Sequence, residues 1–547
     1  MSDPALTPPL TPPLKPPLTP PLEPPAALPF RDLPALVHEQ AMRDPSAWAV
    51  VVGERRLRYG ELDALADRVA AALQRDGALP QQAVAICAAS SLEVVALFIG
   101  ILRAGLAVAP LAPGSTPAQL AGMASDAEAR LFFVDAEVAS ALAGTALPCP
   151  LLRLDDGGFE RWLGDASAPH LVQIEASWPF NIIYSSGTTG TPKGIVQPHA
   201  MRWAHIQRAA LSGYAPDAVT LLATPLYSNT TLVVLIPTLA YGGCVVLMPR
   251  FDALGYLQLA QAHRATHTML VPVQYQRLMA RPEFSQFDLS SFRTKFCTSA
   301  PFHAALKADV LARWPGGLVE YYGMTEGGGT CILQAHLHPH KLHTVGQPAE
   351  GHDIRLIDEQ GVEIARTPGS ASAGSGEVVG RSGGMMTGYH RQPQKTAEAE
   401  WFDAEGRRYI RTGDVGRFDE DGFLILHDRR KDMIISGGFN IYPSDLEAVL
   451  RGHPAVADAA VVGVPSAEWG ETPVAFVVLK AALAAEALRE WVNAQVGKTQ
   501  RLSDLRVLDE LPRSAIGKVL KRELRDGWAR GGAPGGAPSG APASANR

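Results

Sequence analysis

The sequence predicts an α/β protein with a large layered N-terminal domain and a small α+β C-terminal domain. Three observations carry this. From Ala47 onward, short apolar runs alternate with amphipathic helical patterns, the rhythm of parallel strands covered by helices on both faces. The run Phe180-Asn181-Ile182-Ile183 reads as a buried strand opening into a Gly/Ser/Thr loop, and open α/β sheets bind ligands at such carboxyl ends. After Lys431 the pattern shortens into a compact mixture of helix and strand, which places a boundary at Arg430 to Asp432.

The elements follow in order. From Ala47 a strand, a turn at Gly53-Glu54 and a second strand lead to a helix from about Glu61, with Leu62, Leu65, Ala66, Val69, Ala72 and Leu73 on one face. Val84 to Cys87 is a strand, Leu92 to Arg103 a helix capped by Gly105, and Ala107 to Ala109 a strand again. Beyond the loop, strands are expected at Val219 to Ala223, Cys244 to Leu247, His267 to Val271 and Leu318 to Tyr321, with helices near 253–263 and 303–314. Ala365 to Ser375, ARTPGSASAGS, reads as a mobile surface loop. Val415 to Phe418 and Phe423 to His427, joined by Asp419-Glu420-Asp421-Gly422, read as a hairpin. The C-terminal unit should hold a helix near Ser444 to Leu450 ended by Gly452, strands near Ala459 to Val464 and Pro473 to Leu479, and a helix over about Leu483 to Val496. The expected division is therefore a tail at 1–30, domains at 31–430 and 431–530, and a tail at 531–547.

Composition narrows the function. A chain of 547 residues exceeds a single core, and 46% hydrophobic with 19% charged residues is ordinary for a globular protein. A net charge of −6 gives no basic excess for nucleic acid, so any anion site must be local. Cys87, Cys149, Cys244, Cys297 and Cys331 are scattered without CxxC or His/Cys ligand spacing, which suggests neither a disulfide framework nor a zinc site. No apolar run is long enough to span a membrane and no secretory pattern opens the chain, so a cytoplasmic enzyme is expected. No motif bears on oligomeric state. Residues 7–25 repeat TPPL-like units that favour extended polyproline II, read as a stiff solvated tail or, with Pro9 and Pro12 in PxxP spacing, as a ligand for a proline-recognition groove.

The stretch Tyr184 to Gly194, YSSGTTGTPKG, suits a polyphosphate. Its glycines let backbone N–H groups approach an anion, its hydroxyls add donors, and Lys193 supplies a charge. It is not a Walker A loop, because Pro192 and Gly194 flank the lysine and break a helix start. Further on, Tyr321-Tyr322-Gly323-Met324-Thr325-Glu326 offers a ring to stack on a purine, a hydroxyl for phosphate and a carboxylate for Mg²⁺. Arg411-Thr412-Gly413-Asp414 presents a carboxylate that can accept from both hydroxyls of a ribose. Asp428 to Asp432, then Ile435 to Pro443, and Pro512 to Lys518 complete the series.

These motifs, in this order, resemble the adenylate-forming superfamily of acyl-CoA synthetases, luciferases and peptide-synthetase adenylation domains, over about residues 31–530. The resemblance implies that the C-terminal domain is mobile and that ATP, Mg²⁺ and coenzyme A are used on a small-molecule carboxylic acid. Ser185, Ser186, Gly187, Thr188, Thr189, Gly190 and Lys193 would hold phosphates, and Ala300, Pro301, Tyr322 and Gly323 would hold adenine. Asp414 and Arg429 would hold ribose or phosphate, Thr325 the phosphate, and Glu326 the metal. Lys518 would be the mobile catalytic lysine, Lys431 the hinge, and Ser436, Gly437 and Gly438 the pantetheine contacts. The segment Gly376-Glu377 through Gly388-Tyr389 matches a family segment of structural role.

The resemblance implies a two-step ligase making acyl-AMP and pyrophosphate, then acyl-CoA and AMP. The chain as given ends soon after Lys518, which favours coenzyme A over a carrier-protein acceptor, while luciferase-type oxidation shares the adenylation half. The acyl pocket falls at Tyr227, Ser228 and Asn229, where many relatives have an aromatic-His pair and this chain has Ser228 in place of the His. The polar row Ser228-Asn229-Thr230-Thr231 either recognises a polar substituent or caps a helix. The first reading gives a small branched or hydroxylated acid such as 2-hydroxyisobutyrate; an aryl or medium-chain acid is the alternative. An inactive relative working as an adaptor through its proline-rich arm is a different class, against which intact Lys193, Glu326, Asp414 and Lys518 argue.

Overall fold

A computed structural model describes residues 28–531 apart from 165–167, 186–192, 367–369, 373, 430–431, 437–438, 467–468, 498–499 and 515–516. Two large sheets dominate the N-terminal part. One has nine strands, its centre formed by parallel strands Gly317–Tyr322, Thr294–Cys297, His267–Leu270, Val219–Leu222, Cys244–Leu247 and Trp48–Val52. The other has seven, with parallel strands Pro179–Ser185, Ala107–Pro110, Ala83–Cys87, Phe132–Val134 and Leu151–Arg153. Helices Tyr59–Arg75, Leu92–Arg103 and Asn229–Ala240 share one core with residues of both sheets, including Val50 and Val245 of the first and Val84 and Phe180 of the second. Leu92–Arg103 is almost wholly apolar because neither of its faces meets water.

The expected boundaries shift where local hydrogen bonds decide them. The first long helix begins at Tyr59, two residues before the expected Glu61, because the Glu61 carboxylate accepts from the Arg58 backbone N–H at 2.7 Å as an N-terminal cap. Gly105 follows the helix Leu92–Arg103 at φ +77°, a left-handed turn that sends the chain back into the sheet. The helices expected near 253–263 and 303–314 are Ala253–Ala262 and Ala304–Arg313.

Two features depart from simple βαβ rhythm. The Tyr184–Gly194 stretch connects antiparallel strands, Pro179–Ser185 and Lys193–Pro198, rather than a strand and a helix. Residues 353–429 build a third, antiparallel sheet of five strands around the long strand Arg408–Phe418, and the expected hairpin is its Phe418↔Leu424 end. The described residues of the 365–375 stretch are anchored to that hairpin: Ser372 N–H donates to the Phe418 carbonyl at 3.0 Å, and Arg366 lies 4.5 Å from the Phe418 ring centroid.

From Ile434 on, a separate five-stranded sheet is built on the pair Val456–Ser466 and Gly470–Leu479. Helices Pro443–Arg451 and Ala485–Asn493 cover it, the second shorter at both ends than the expected Leu483 to Val496. All five cysteines are free, and no helix among the described residues is long and apolar enough to cross a membrane.

Candidate active site

A cleft of about 2190 Å³ opens where the carboxyl ends of the two large sheets, the third sheet and the C-terminal unit converge. Lys193, Tyr227, Ser228, Asn229, Gly323, Thr325, Glu326 and Lys518 line it, drawn from points more than 300 residues apart in the chain. Ser186, Gly187, Thr188, Thr189, Gly190, Lys431, Gly437 and Gly438 lie outside the described residues, as do the side chains of Ser185 and Arg429. Ala300, Pro301, Tyr322, Asp414 and Ser436 are not among the lining residues. Ser436 is buried in the C-terminal sheet, opposite Phe439 and Gly470.

The Thr325-Glu326 loop follows the strand Gly317–Tyr322 and is held from both sides. Gln197 Nε2 donates to the Thr325 carbonyl at 2.5 Å. The Tyr389 hydroxyl donates to Glu326 Oε1 at 2.9 Å, and Lys193 Nζ lies 4.8 Å from the Tyr389 ring centroid. Tyr389 therefore bridges the lysine and the carboxylate, a role beyond the structural one expected of its segment. Burial and the adjoining Glu326 push its hydroxyl pKa up, so it remains a donor. Tyr322 donates to Asp414 Oδ2 at 2.9 Å, joining the aromatic motif to the Thr-Gly-Asp motif. Arg411 and Glu377, both on the cleft wall, form an ion pair with Nε to Oε1 at 3.2 Å.

Behind the wall lies a network that no sequence motif announced. Arg202, buried on the helix His199–Ala209, donates to Asn229 Oδ1 at 3.0 Å, to Asn181 Oδ1 at 3.1 Å and to Gln197 Oε1. It thereby ties the strand before the loop, the strand after it and the helix Asn229–Ala240 to the Thr325 carbonyl. Burial lowers its guanidinium pKa to about 9, which leaves it charged at neutral pH. The signal available in sequence was polar residues, Asn181 and Gln197, inside otherwise apolar strands.

The polar row is occupied mostly by the protein itself. Ser228 caps the helix Asn229–Ala240 by accepting from Thr230 N–H at 3.3 Å, which is the capping alternative. Thr230 Oγ1 meets Ser299 Oγ at 2.6 Å, and Thr231 Oγ1 donates to the Pro225 carbonyl at 2.7 Å.

Lys518 arrives on a turn of the C-terminal unit. Ser514 N–H donates to the Lys518 carbonyl at 2.8 Å, Arg513 Nη1 donates to the Gly517 carbonyl at 2.6 Å, and Arg513 pairs with Asp458. Gly517 has φ +75°, and a Cβ there would lie 2.8 Å from Val273 Cγ1 on the helix Pro272–Met279. Only glycine both makes this turn and lets it press against the N-terminal part. Among the described residues no group of three or more His, Cys, Asp or Glu could form a metal cage.

The chain is similar to known proteins over most of its length. The family described as AMP-binding enzyme matches residues 37–390, and its C-terminal domain matches residues 445–518. A feruloyl-CoA synthase of an Amycolatopsis species is 33% identical over 89% of this chain and 97% of its own length. An indoleacetate–CoA ligase of Aromatoleum aromaticum is 31% identical over 91% of this chain and 98% of its own. The crystal structure of ATP-bound MatB from Rhodopseudomonas palustris superposes with a TM-score of 0.81 at 29% identity, covering 91% of this chain and 99% of that one.

Proposed function

Because the chain belongs to the AMP-binding enzyme family and is an AMP-forming acyl-CoA synthetase of the adenylate-forming superfamily, we propose that this cleft joins a carboxylic acid to coenzyme A through an acyl-adenylate. The observation that carries the reading is the meeting of Lys193, Thr325 and Glu326 with Lys518 in one cleft.

A carboxylate is a poor acyl donor because oxide would have to leave. Its oxygen attacks the α-phosphorus of ATP, the bond to pyrophosphate breaks, and AMP becomes the later leaving group. In this reading Lys193 and the hydroxyls of 185–189 restrain the β and γ phosphates, and Lys518 offsets charge building on the α-phosphate. Thr325 donates to the α-phosphate, and its carbonyl is fixed by Gln197. Asp414, reached by the Tyr322 hydroxyl, and Arg429 take the ribose; Tyr322, Gly323, Ala300 and Pro301 frame the adenine.

Glu326 offers a single carboxylate, which fits Mg²⁺ held jointly with nucleotide oxygens and water rather than by an all-protein cage. Bound there, Mg²⁺ would neutralise part of the triphosphate charge. Tyr389 leaves Glu326 aimed into the cleft by bonding only through Oε1 among the contacts described.

The thiol must then attack the carbonyl where Lys518 stood. The turn carrying Lys518 packs against Val273 and Val271 at Gly517, and in this reading rotation about Lys431 would withdraw it and admit the pantetheine arm along Ser436, Gly437 and Gly438. The compartment is the cytoplasm, where ATP and coenzyme A are at hand.

For the acid, the geometry gives little support to a small hydroxylated acid such as 2-hydroxyisobutyrate held by residues 228–231, because most of their polar atoms bond within the protein. Aryl and medium-chain acids fit the aromatic wall of Tyr214, Tyr227 and Tyr241 better. The test is acid-dependent exchange of pyrophosphate into ATP, followed by AMP release with and without coenzyme A. Exchange with AMP release that requires coenzyme A is the expected result; AMP release indifferent to coenzyme A would overturn the assigned acceptor.

A further inference from the structure

We propose that Arg208 forms a second anion subsite in the cleft, and that the preferred acid carries a second carboxylate remote from the one that is adenylated. This rests on the ligase reading above and names its substrate class.

Arg208 ends the helix His199–Ala209. A basic side chain in a last helical turn ordinarily reaches into solvent and complements the helix dipole. Here it is mostly buried, and its exposed part lines the cleft. Its guanidinium carbon lies 5.8 Å from the Tyr321 ring centroid, and Nη1 lies 3.4 Å from His352 Nε2. Among the described residues it makes no ion pair with a carboxylate, and Glu350, which shares the cleft rim, is exposed and unpaired with it.

The surroundings do not neutralise the guanidinium. Burial, reinforced by Arg208 itself, lowers the His352 pKa to about 4, and burial with Arg208, Arg202 and His352 holds His205 well below its ordinary range. Both rings are therefore neutral at pH 7; burial lowers the Arg208 pKa from its high ordinary value, and Arg208 is the cation at this end of the cleft, with the exposed Glu350 carboxylate on the rim. Its planar fork of N–H donors matches a carboxylate in bidentate fashion.

Placement separates this end from the phosphate end. Arg202, six residues earlier, is tied through Gln197 to the Thr325 carbonyl, so Arg208 stands about 9 Å further along the helix axis. Tyr214, Val233, Tyr241 and Phe296 line the cleft as well. An acid with an apolar middle and a carboxylate at each end meets all three surfaces. A monoacid would enclose an uncompensated guanidinium, which is unfavourable.

The test compares α,ω-dicarboxylic acids of four to ten carbons, and carboxylated aryl acids, with their monomethyl esters in pyrophosphate exchange by the full-length protein. A diacid should exceed its ester in kcat/KM by on the order of 10²-fold, through KM more than kcat. Arg208→Met should remove that preference while still turning over the ester, which also shows that the variant is folded, and Arg208→Lys should restore part of it. Equal use of diacid and ester by the wild type, or equal loss of both in Arg208→Met, would overturn the proposal and leave the ligase standing. No acid-dependent exchange with any compound would overturn the ligase reading and this proposal with it.

Discussion

Arg202 and Arg208 sit on one helix, both largely withdrawn from bulk water and neither paired with a carboxylate among the described residues, yet they are built for different tasks. Arg202 is enclosed by three amide oxygens, from Asn181, Gln197 and Asn229. Arg208 meets a tyrosine face and a histidine ring and opens onto the cleft. That contrast separates an architectural cation from a recognition cation: both terminal nitrogens of the first donate to protein amide oxygens, its buried Nε alone lacking a partner among the Arg202 donors, while the second opens onto the cleft, where a ligand can meet its donors.

Breaking the first arginine should have the largest consequence. Arg202→Met leaves the buried amide oxygens of Asn181 and Gln197 without their donor, takes one of two donors from the half-buried Asn229 oxygen, and should cost roughly 3–5 kcal/mol of stability, read by chemical denaturation. Adenylation of every acid should fall with it, because the Thr325 carbonyl loses its fixed Gln197. A variant as stable as the wild type would erase the distinction drawn between the two arginines.

Lys518→Ala sharpens the contrast from the other side. It removes a cleft cation to which the proposed mechanism gives the α-phosphate, so adenylation should fall by about 10²–10³ with diacid and monoester alike, at unchanged thermal stability. A loss confined to diacids would show that Lys518, not Arg208, reads the second carboxylate.

Tyr389→Phe should have a smaller effect, about threefold to tenfold in adenylation, because it removes one hydrogen bond to Glu326 while keeping the ring beside Lys193. The Mg²⁺ concentration giving half-maximal activity is the sensitive readout, and a variant with no change in it would detach Tyr389 from the carboxylate.

The smallest effect is on pH. His199 and His352 are held down to about 4, in each case first by burial, against 6.5 in the unfolded chain. Between those values the unfolded state binds more protons, so stability is full above pH 6.5 and declines as pH falls towards 4. Melting temperatures across pH 5 to 8 should show this slope. In Arg208→Met the His352 pKa should rise, because one of the two influences holding it down is gone, and an imidazole resonance titrating unchanged would argue against their contact.

Much of this molecule was legible in the chain. The strand-helix order of the large sheets follows from periods of apolar residues, since a strand buried on both faces and a helix buried on all sides each leave a distinct pattern. The motifs at 184–194, 321–326, 411–414 and 512–518 stood out because glycine, hydroxyl and lysine at close spacing suit a phosphate, and the structure brings Lys193, Thr325, Thr412 and Lys518 from them to one cleft. Helix ends slipped by a residue or two where a cap decided them, as at Arg58 and Glu61.

The chain alone was enough to name the candidates for the chemistry and their order, because such demands are local and a short segment meets them. Folding in three dimensions was needed to show that residues 353–429 form an antiparallel sheet, that Tyr389 joins Lys193 to Glu326, and which of two arginines is enclosed and which faces the cleft. Burial and pairing are set by residues distant in the chain: Asn181 and Asn229 around Arg202, Tyr321 and His352 around Arg208. A helical repeat tells which side chains share a face, but what that face meets depends on elements folded against it from elsewhere.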